Sequence, residues 1–318
     1  MRNTIFLNVE KLDFDHKLDF SLLNRMTNVT KYDESSNEEI LQRVQDQHIV
    51  ITKELPIGAD IIRQLPASVQ LICEAGTGYN NIDIAAAREK NIAVCNVPGY
   101  SSEAVAQLAI SGILNLCSSM KLQQVMLQRN NFDNFTKHLM VPHIEVQNKT
   151  LGIVGSGGIG RQVIKIALAL GMKILVHNRT PKQWDDLRIQ SVNLEDLLKQ
   201  SDFVTLHCPL TVDTKHLINK ERLNLMKPSS FIINTSRGAL IKEADLIEAL
   251  QNGKIAGAAL DVQDPEPPDM KNPLFSMDNV ILTPHIGWKC LESRQRLIDL
   301  LTGNIDAFIQ GKAINVIN

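Results

Sequence analysis

Short apolar runs recur through the first hundred residues at positions 4–9, 48–52, 70–73 and 92–96, with helical spacing between them at 38–44, 59–65 and 84–90. Brief apolar runs bounded by turns predict buried strands, and strands alternating with helices predict a parallel sheet covered on both faces. Val97, Pro98 and Gly99 interrupt the pattern, because proline and glycine end regular structure. A long apolar helix follows at 102–120, with Glu103 in its first turn, where the helix dipole favours a negative charge. From position 151 the alternation resumes, with strands expected at 151–155, 173–177, 203–207, 231–235, 256–261 and 280–283, a set that suits a doubly wound sheet. Over 291–309, Leu297, Ile298, Leu301, Ile305 and Phe308 share one helical face. That helix follows the last strand and is placed to cross back onto the N-terminal unit. Two α/β domains are therefore expected, one from 1–98 plus 288–318 and the other from 99–287. Residues 123–148, rich in Gln, Asn and single aromatics, read only as helix plus surface connection and a candidate subunit contact.

The run from Leu151 to Leu170 organises the second domain. An apolar strand leads into Gly155, Ser156, Gly157, Gly158, Ile159 and Gly160, and a helical pattern follows. Gly155, Gly157 and Gly160 have the G-x-G-x-x-G spacing. The first glycine makes the tight turn, the second lets a pyrophosphate approach the backbone, and the third lets helix pack on strand. The open amides at such a helix N-terminus hold phosphates. A plain glycine-rich turn is the alternative, and the flanking strands weigh against it.

Length and charge narrow the function. With 318 residues the chain can hold about two cores. Its 33 basic and 35 acidic residues show no basic cluster, which argues against nucleic acid or a membrane surface as partner. The N-terminus lacks a signal-peptide pattern, and the most apolar helix, near 104–117, is interrupted by Gln107, Ser111 and Asn115. The five cysteines, Cys73, Cys95, Cys117, Cys208 and Cys290, contain no C-x-x-C pair, so reduced thiols in the cytoplasm are expected. His138 and His143 have no third partner at ligand spacing, and no metal is assigned.

In open α/β sheets ligands sit beyond the C-terminal ends of the strands. There the second domain places His207, Cys208 and Pro209, then Thr235, Ser236, Arg237 and Gly238, then Asp261, and last Thr283, Pro284 and His285. An arginine grips a carboxylate in a fork, and an imidazole supplies the proton that a developing alkoxide needs. Together beside a dinucleotide they suit hydride transfer at a carbonyl.

The segments 234–240, 258–267 and 282–287 resemble those of the D-isomer-specific 2-hydroxyacid dehydrogenase family, and the likeness extends to 75–83 and 207–211. The resemblance implies two Rossmann-like/flavodoxin-like doubly wound parallel-sheet domains and an interdomain cleft that closes on substrate. Domain 1–98 plus 288–318 would bind substrate and 99–287 the dinucleotide. It makes His285 the acid/base, Glu266 its partner and Arg237 the substrate anchor, with Asp261 near the nicotinamide and the amides around Gly76, Thr77 and Gly78 receiving the substrate carboxylate. A carboxylate beside imidazolium favours the charged form, which suits a proton donor. Relatives that act as corepressors keep a dinucleotide-sensing interaction protein open as an alternative, as are D-lactate-type and phosphoglycerate-type dehydrogenases. A homodimer is also implied, with the helix at 102–120 either an interface element or intradomain core.

After the second strand of the dinucleotide domain stand Asn178, Arg179 and Thr180, with no carboxylate to repel a 2′-phosphate. NADP is favoured on this ground. NAD is the alternative, with Asn178 on the ribose hydroxyl and Arg179 on adenine or in water. Trp288, Arg294 and the Tyr79 loop are similar to the glycerate dehydrogenase/hydroxypyruvate reductase subgroup, which implies a small 2-oxo acid such as hydroxypyruvate or glyoxylate as substrate. Trp288 would either wall the pocket or pack between domains, and Lys53 and Leu55 would face the cleft. Gly287 stands where that subgroup usually has alanine.

Overall fold

The computed structural model describes residues 1–180 and 182–318. It forms two compact units, Met1–Ser101 with Trp288–Asn318, and Ser102–Gly287. The first boundary falls three residues beyond the expected one because Tyr100 is buried in the first unit's core, beside Val97.

In the first unit β1 (Asn3–Phe6), α1 (Ser21–Met26), β2 (Asn28–Lys31), α2 (Asn37–Arg43), β3 (Ile49–Thr52), α3 (Ala59–Gln64), β4 (Leu71–Glu74), α4 (Ile84–Glu89) and β5 (Ala93–Cys95) follow one another. The sheet order is β2-β1-β3-β4-β5, all parallel. This is the flavodoxin-like order, whose switch point lies between β1 and β3. Every residue of β3 and β4 is buried, as a sheet covered on both faces requires. Local chemistry starts the helices: Ser36 and Glu39 form a reciprocal capping box for α2, and the Asp83 carboxylate accepts from the Ala86 amide ahead of α4. β2, absent from the sequence expectation, is a largely exposed edge strand with no apolar run to reveal it.

The second unit opens with α5 (Ser102–Cys117), α6 (Met120–Gln128) and α7 (Asp133–Thr136). The single helix expected over 102–120 breaks at Ser118 and Ser119, where Ser119 takes a positive φ of 47°, and α5 and α6 meet at 60°. Then come β6 (Thr150–Val154), α8 (Gly158–Ala169), β7 (Lys173–His177), β8 (Ile189–Ser191), α9 (Leu194–Gln200), β9 (Phe203–Leu206), α10 (Lys220–Leu223), β10 (Phe231–Asn234), α11 (Glu243–Gln251), β11 (Gly257–Leu260) and β12 (Val280–Leu282). The order β12-β11-β10-β9-β6-β7-β8 is parallel throughout, with its switch point between β6 and β9. Six strands were expected; the seventh, β8, is a three-residue strand with two exposed positions. α5 packs Ala106, Ala109, Ile110 and Ile113 into the second unit's core, so the intradomain reading of this helix holds for its buried face.

The chain then returns to the first unit through α12 (Leu291–Ile309). Leu297, Ile298, Leu301 and Ile305 are buried there with Phe6, Phe20 and Leu23. Such burial contributes about 1.5–3 kcal/mol per side chain. Arg294, almost wholly buried, holds the Asp15 carboxylate in a fork at 2.8 and 2.9 Å and donates to the Leu12 carbonyl. Among the described residues no single helix is long and apolar enough to cross a membrane, and no group of three or more His, Cys, Asp or Glu could hold a metal ion.

Candidate active site

The glycine turn sits at the second unit's switch point. Gly155 has φ +95°, open to glycine but strained for a side chain. A Cβ there would lie 2.8 Å from the Cys208 amide nitrogen, so the ends of β6 and β9 touch. A Cβ on Gly160 would meet the Gly155 carbonyl oxygen at 2.2 Å, which is the close approach of helix and turn that the spacing predicts. Gly157 faces open space. The amides of Gly157, Gly158, Ile159 and Gly160 donate to no group among the described residues and stand at the positive end of α8.

Asn178 is tied to this turn rather than left open. Its Oδ1 accepts from the Ser156 amide at 2.7 Å and its Nδ2 donates to the Ser156 hydroxyl at 2.9 Å. Lys182 donates to the Ser156 carbonyl at 2.9 Å, a cation beside the turn that the sequence reading missed. Arg179 and Thr180 are exposed and make no hydrogen bond among the described residues.

At the end of β9 the His207 Nε2 lies 2.9 Å from the Thr205 hydroxyl, while its Nδ1 is buried without a partner. Burial pushes this imidazole down to about 3, so it is neutral at ordinary pH. Burial also pushes the Cys208 thiol up to about 11, and its carbonyl accepts from the Ser236 hydroxyl at 2.7 Å. The Pro209 carbonyl accepts from Thr214, and the Thr235 hydroxyl is buried and unpartnered. Two orphaned buried polar atoms beside four open amides fit a polar ligand with phosphates, as a nicotinamide dinucleotide has.

The acid/base residues meet on the far side of the same sheet edge. His285 Nδ1 lies 2.9 Å from Glu266 Oε2. Glu266 Oε1 accepts from the Gln263 amide at 3.0 Å. Burial opposes ionisation of Glu266, but the His285 ring, the Gln263 amide and the charge of Arg237 hold its carboxyl below the usual range. Arg237 is exposed, and its guanidinium donates to the Ser236 carbonyl. The segment carrying Arg237 and the one carrying Glu266 are pressed together at Gly238, where a Cβ would fall 2.0 Å from the Gln263 carbonyl oxygen.

Asp261 orders the His285 loop. Its carboxylate accepts from the Thr283 hydroxyl at 2.6 Å and from the amides of Ile286 and Gly287 at 2.8 and 2.9 Å, while its carbonyl accepts from the His285 amide. His285 itself has φ 51°, an unusual backbone conformation fixed by this clamp.

In the first unit, Gly76, Thr77 and Gly78 follow β4. Val97 donates to the Gly76 carbonyl and the Thr77 hydroxyl donates to the Val97 carbonyl, yet the amides of Gly76, Thr77 and Gly78 donate to nothing among the described residues. Lys53 is almost fully buried, with its ammonium 4.1 Å from the centre of the Trp288 ring and 2.7 Å from the Glu54 carboxylate. Trp288 is itself buried in the first unit's core. Glu74, wholly buried, was not singled out in the sequence because one acidic residue closing an apolar strand has no local signal.

A parallel-sheet unit with a glycine turn at its switch point, beside a carboxylate–imidazole pair and an arginine, defines a nicotinamide-dependent oxidoreductase. Comparison with known proteins agrees. Residues 110–287 match the family model described as the D-isomer specific 2-hydroxyacid dehydrogenase, NAD binding domain. The chain is 37% identical over 308 residues to a hydroxypyruvate reductase of Blautia hydrogenotrophica, covering 95% of each. A solved acyclic imino acid reductase in complex with NADPH and D-Arg has TM-score 0.87 and 28% identity, with all of both chains covered. The D-lactate dehydrogenase of Aquifex aeolicus, complexed with NAD and lactic acid, has TM-score 0.83 and 28% identity over 98% of this chain and 96% of that one. The chain belongs to the D-isomer-specific 2-hydroxyacid dehydrogenase family, and it is an NAD(P)-dependent enzyme acting on the CH–OH group of 2-hydroxy acids and the matching 2-oxo acids.

Proposed function

We propose that the protein reduces a small, hydroxylated 2-oxo acid of the hydroxypyruvate or glyoxylate kind to the D-2-hydroxy acid, with NADPH preferred. The observation that carries this reading is the Glu266–His285 pair at 2.9 Å beside Arg237, the set needed for carbonyl reduction and not for dinucleotide sensing alone.

The open amides of Gly76, Thr77 and Gly78 receive the substrate carboxylate, and Arg237 grips the carboxylate and the carbonyl oxygen. When bound, the reduced nicotinamide supplies the hydride that adds to C2. His285 gives its proton to the carbonyl oxygen as negative charge develops there, and takes it back in the oxidative direction. Glu266 keeps the ring oriented through its contact with Nδ1. Asp261 acts through the His285 loop it clamps. The amides from Gly157 to Gly160 hold the pyrophosphate, while neutral His207 and the Thr235 hydroxyl offer the polar contacts they lack within the chain.

The NADPH preference rests on Arg179, exposed and unpaired among the described residues, with Lys182 close by and no carboxylate in place. The exposed Phe132, Phe135, Leu139 and Met140 support a homodimer built on the segment after α6, and five unbridged cysteines suit a reducing cytoplasm. Loss of NADPH and NADH absorbance, followed in parallel with hydroxypyruvate, glyoxylate and pyruvate, tests the reading. Turnover is expected with the first two acids and faster with NADPH. No oxidation of either cofactor with any of the acids would overturn the substrate assignment, and faster use of NADH would overturn the role given to Arg179.

A further inference from the structure

The most unusual chemistry outside the reacting groups lies behind the Gly76–Gly78 loop. Glu74 ends β4 and Lys53 directly follows the adjacent β3, and both flank Gly76: a Cβ on that glycine would stand 3.1 Å from Glu74 Oε1 and 3.3 Å from the Lys53 ammonium. Glu74 Oε1 accepts from the Glu54 amide at 3.1 Å, and its Oε2 accepts from Asn81 Nδ2 at 2.8 Å. Asn81 also donates to the Leu55 carbonyl, so the buried carboxylate ties the turn after β3 to the loop after β4. Lys53 is fixed at its backbone as well, where the Asn8 side chain exchanges two hydrogen bonds with it at 2.7 and 2.9 Å. The ammonium thus pairs with the Glu54 carboxylate, lies over the Trp288 ring, and shares the surroundings of Gly76 with the Glu74 carboxylate.

We propose that Glu74 is a specificity-determining residue. By balancing Lys53 beside the carboxylate-binding loop, it admits 2-oxo acids with an uncharged hydrogen-bonding group at C3 and rejects those with an anionic one. The inference rests on the assignment of Gly76, Thr77 and Gly78 to the substrate carboxylate under the proposed function. C3 is two bonds from that carboxylate, so its substituent lies within reach of the Lys53 ammonium, which can donate to a hydroxyl. A lone buried lysine would attract a phosphate or second carboxylate. Where Glu74 is ionised, above about pH 7, Glu54 in contact with that lysine and Glu74 close by make the local charge negative, and a further anion must be desolvated against it. Without Lys53, the same carboxylates would leave the subsite more repulsive still.

The experiment compares kcat/KM for hydroxypyruvate, oxaloacetate and 3-phosphohydroxypyruvate, at a pH well above the value of about 7 at which Glu74 ionises, in the full-length enzyme and in Glu74→Gln and Lys53→Met. The wild type is expected to favour hydroxypyruvate. Glu74→Gln should raise the ratio of either anionic substrate to hydroxypyruvate by about tenfold or more, the size expected for one unit charge within roughly 10 Å at an effective dielectric constant of about 20. Lys53→Met should move the same ratio in the opposite direction. A general loss of structure would lower all three substrates together and leave the ratios in place, so the ratio separates selectivity from packing. If Glu74→Gln fails to fold, Lys53→Met alone decides: an unchanged or higher anionic ratio overturns the proposal. A folded Glu74→Gln with unchanged ratios also overturns it, while the reading of the enzyme as a small 2-oxo acid reductase stands. A wild type inactive on all three acids would instead overturn that reading itself.

Discussion

Each unit sets a glutamate beside a glycine, Glu74 buried in the first and Glu266 partly exposed in the second, and the two are driven in opposite directions. Glu74, in the first unit, is pushed up to about 7, chiefly by burial, despite Lys53 and Asn81. Glu266, in the second, is also penalised by burial, but the His285 ring and the nearby Arg237 charge win and hold it below the usual carboxylate range. The residue type is the same, and its neighbours set its use. A carboxylate in direct contact with an imidazole can orient a proton donor. One that is shut in beside a lysine and two amide donors shapes a loop and sets the local charge. On the proposed reading the reactive side chains belong to the second unit, and the first supplies backbone amides for the substrate carboxylate.

The sharpest way to break this division is His285→Gln. A loss of about 10²–10⁴-fold in kcat/KM is expected, with NADPH affinity by fluorescence titration unchanged, because the proposed dinucleotide contacts lie elsewhere. If turnover survived within a few fold, the second unit would have lost its claim to the chemistry. Glu266→Gln should cost less, roughly 10–10³-fold, and mainly in kcat, since the orienting carboxylate acts through the ring. An effect confined to KM would place Glu266 on the substrate instead. Next in size are the glycines. Gly160→Ala overpacks α8 against its own turn and should cost about 1–3 kcal/mol, lowering Tm by roughly 3–10 °C, while Gly157→Ala, facing open space, should leave Tm nearly unchanged and weaken only the cofactor.

The smallest effect sharpens the comparison through pH. Between the ordinary value of 4.5 and about 7, the folded chain keeps a proton on Glu74 that the unfolded chain releases. This group therefore favours folding at low pH, and its contribution declines as pH rises through that window. For Glu266 the sign is reversed, with stabilisation present above the ordinary carboxylate value and lost as pH falls through its lower folded one. The Tm of Glu74→Gln, measured against wild type from about pH 5 to about pH 8, should gain on wild type as pH rises. A constant difference would mean that Glu74 does not titrate there.

What could be read in the sequence followed from where the signal is local. The glycine turn, its flanking strand and helix, and the reactive side chains just beyond β10 and β12 are contiguous, and they stand out against apolar runs. β2 and β8 are edge strands with exposed positions, so burial wrote no pattern into them. Glu74 and Lys182 were invisible for another reason. The partners that give Glu74 meaning are Lys53, Glu54 and Asn81, and Lys182 reaches back to Ser156 across the turn after β7. Asn178 shows the same limit: its bracing of the glycine turn through Ser156 lies across the β6 and β7 ends and left no local pattern.

The first unit is interrupted in the chain, and its core is completed only by α12 and the buried Arg294 fork. During synthesis this has a kinetic consequence. The first hundred residues emerge early but lack Leu297, Leu301 and Ile305 until the whole second unit has been translated. At about 5–20 residues per second, that wait is on the order of ten seconds or more. The second unit, contiguous in sequence, can finish first beside a half-made neighbour with an uncovered apolar face, so the ribosome-bound chain is a natural client for a holdase until its last helix arrives.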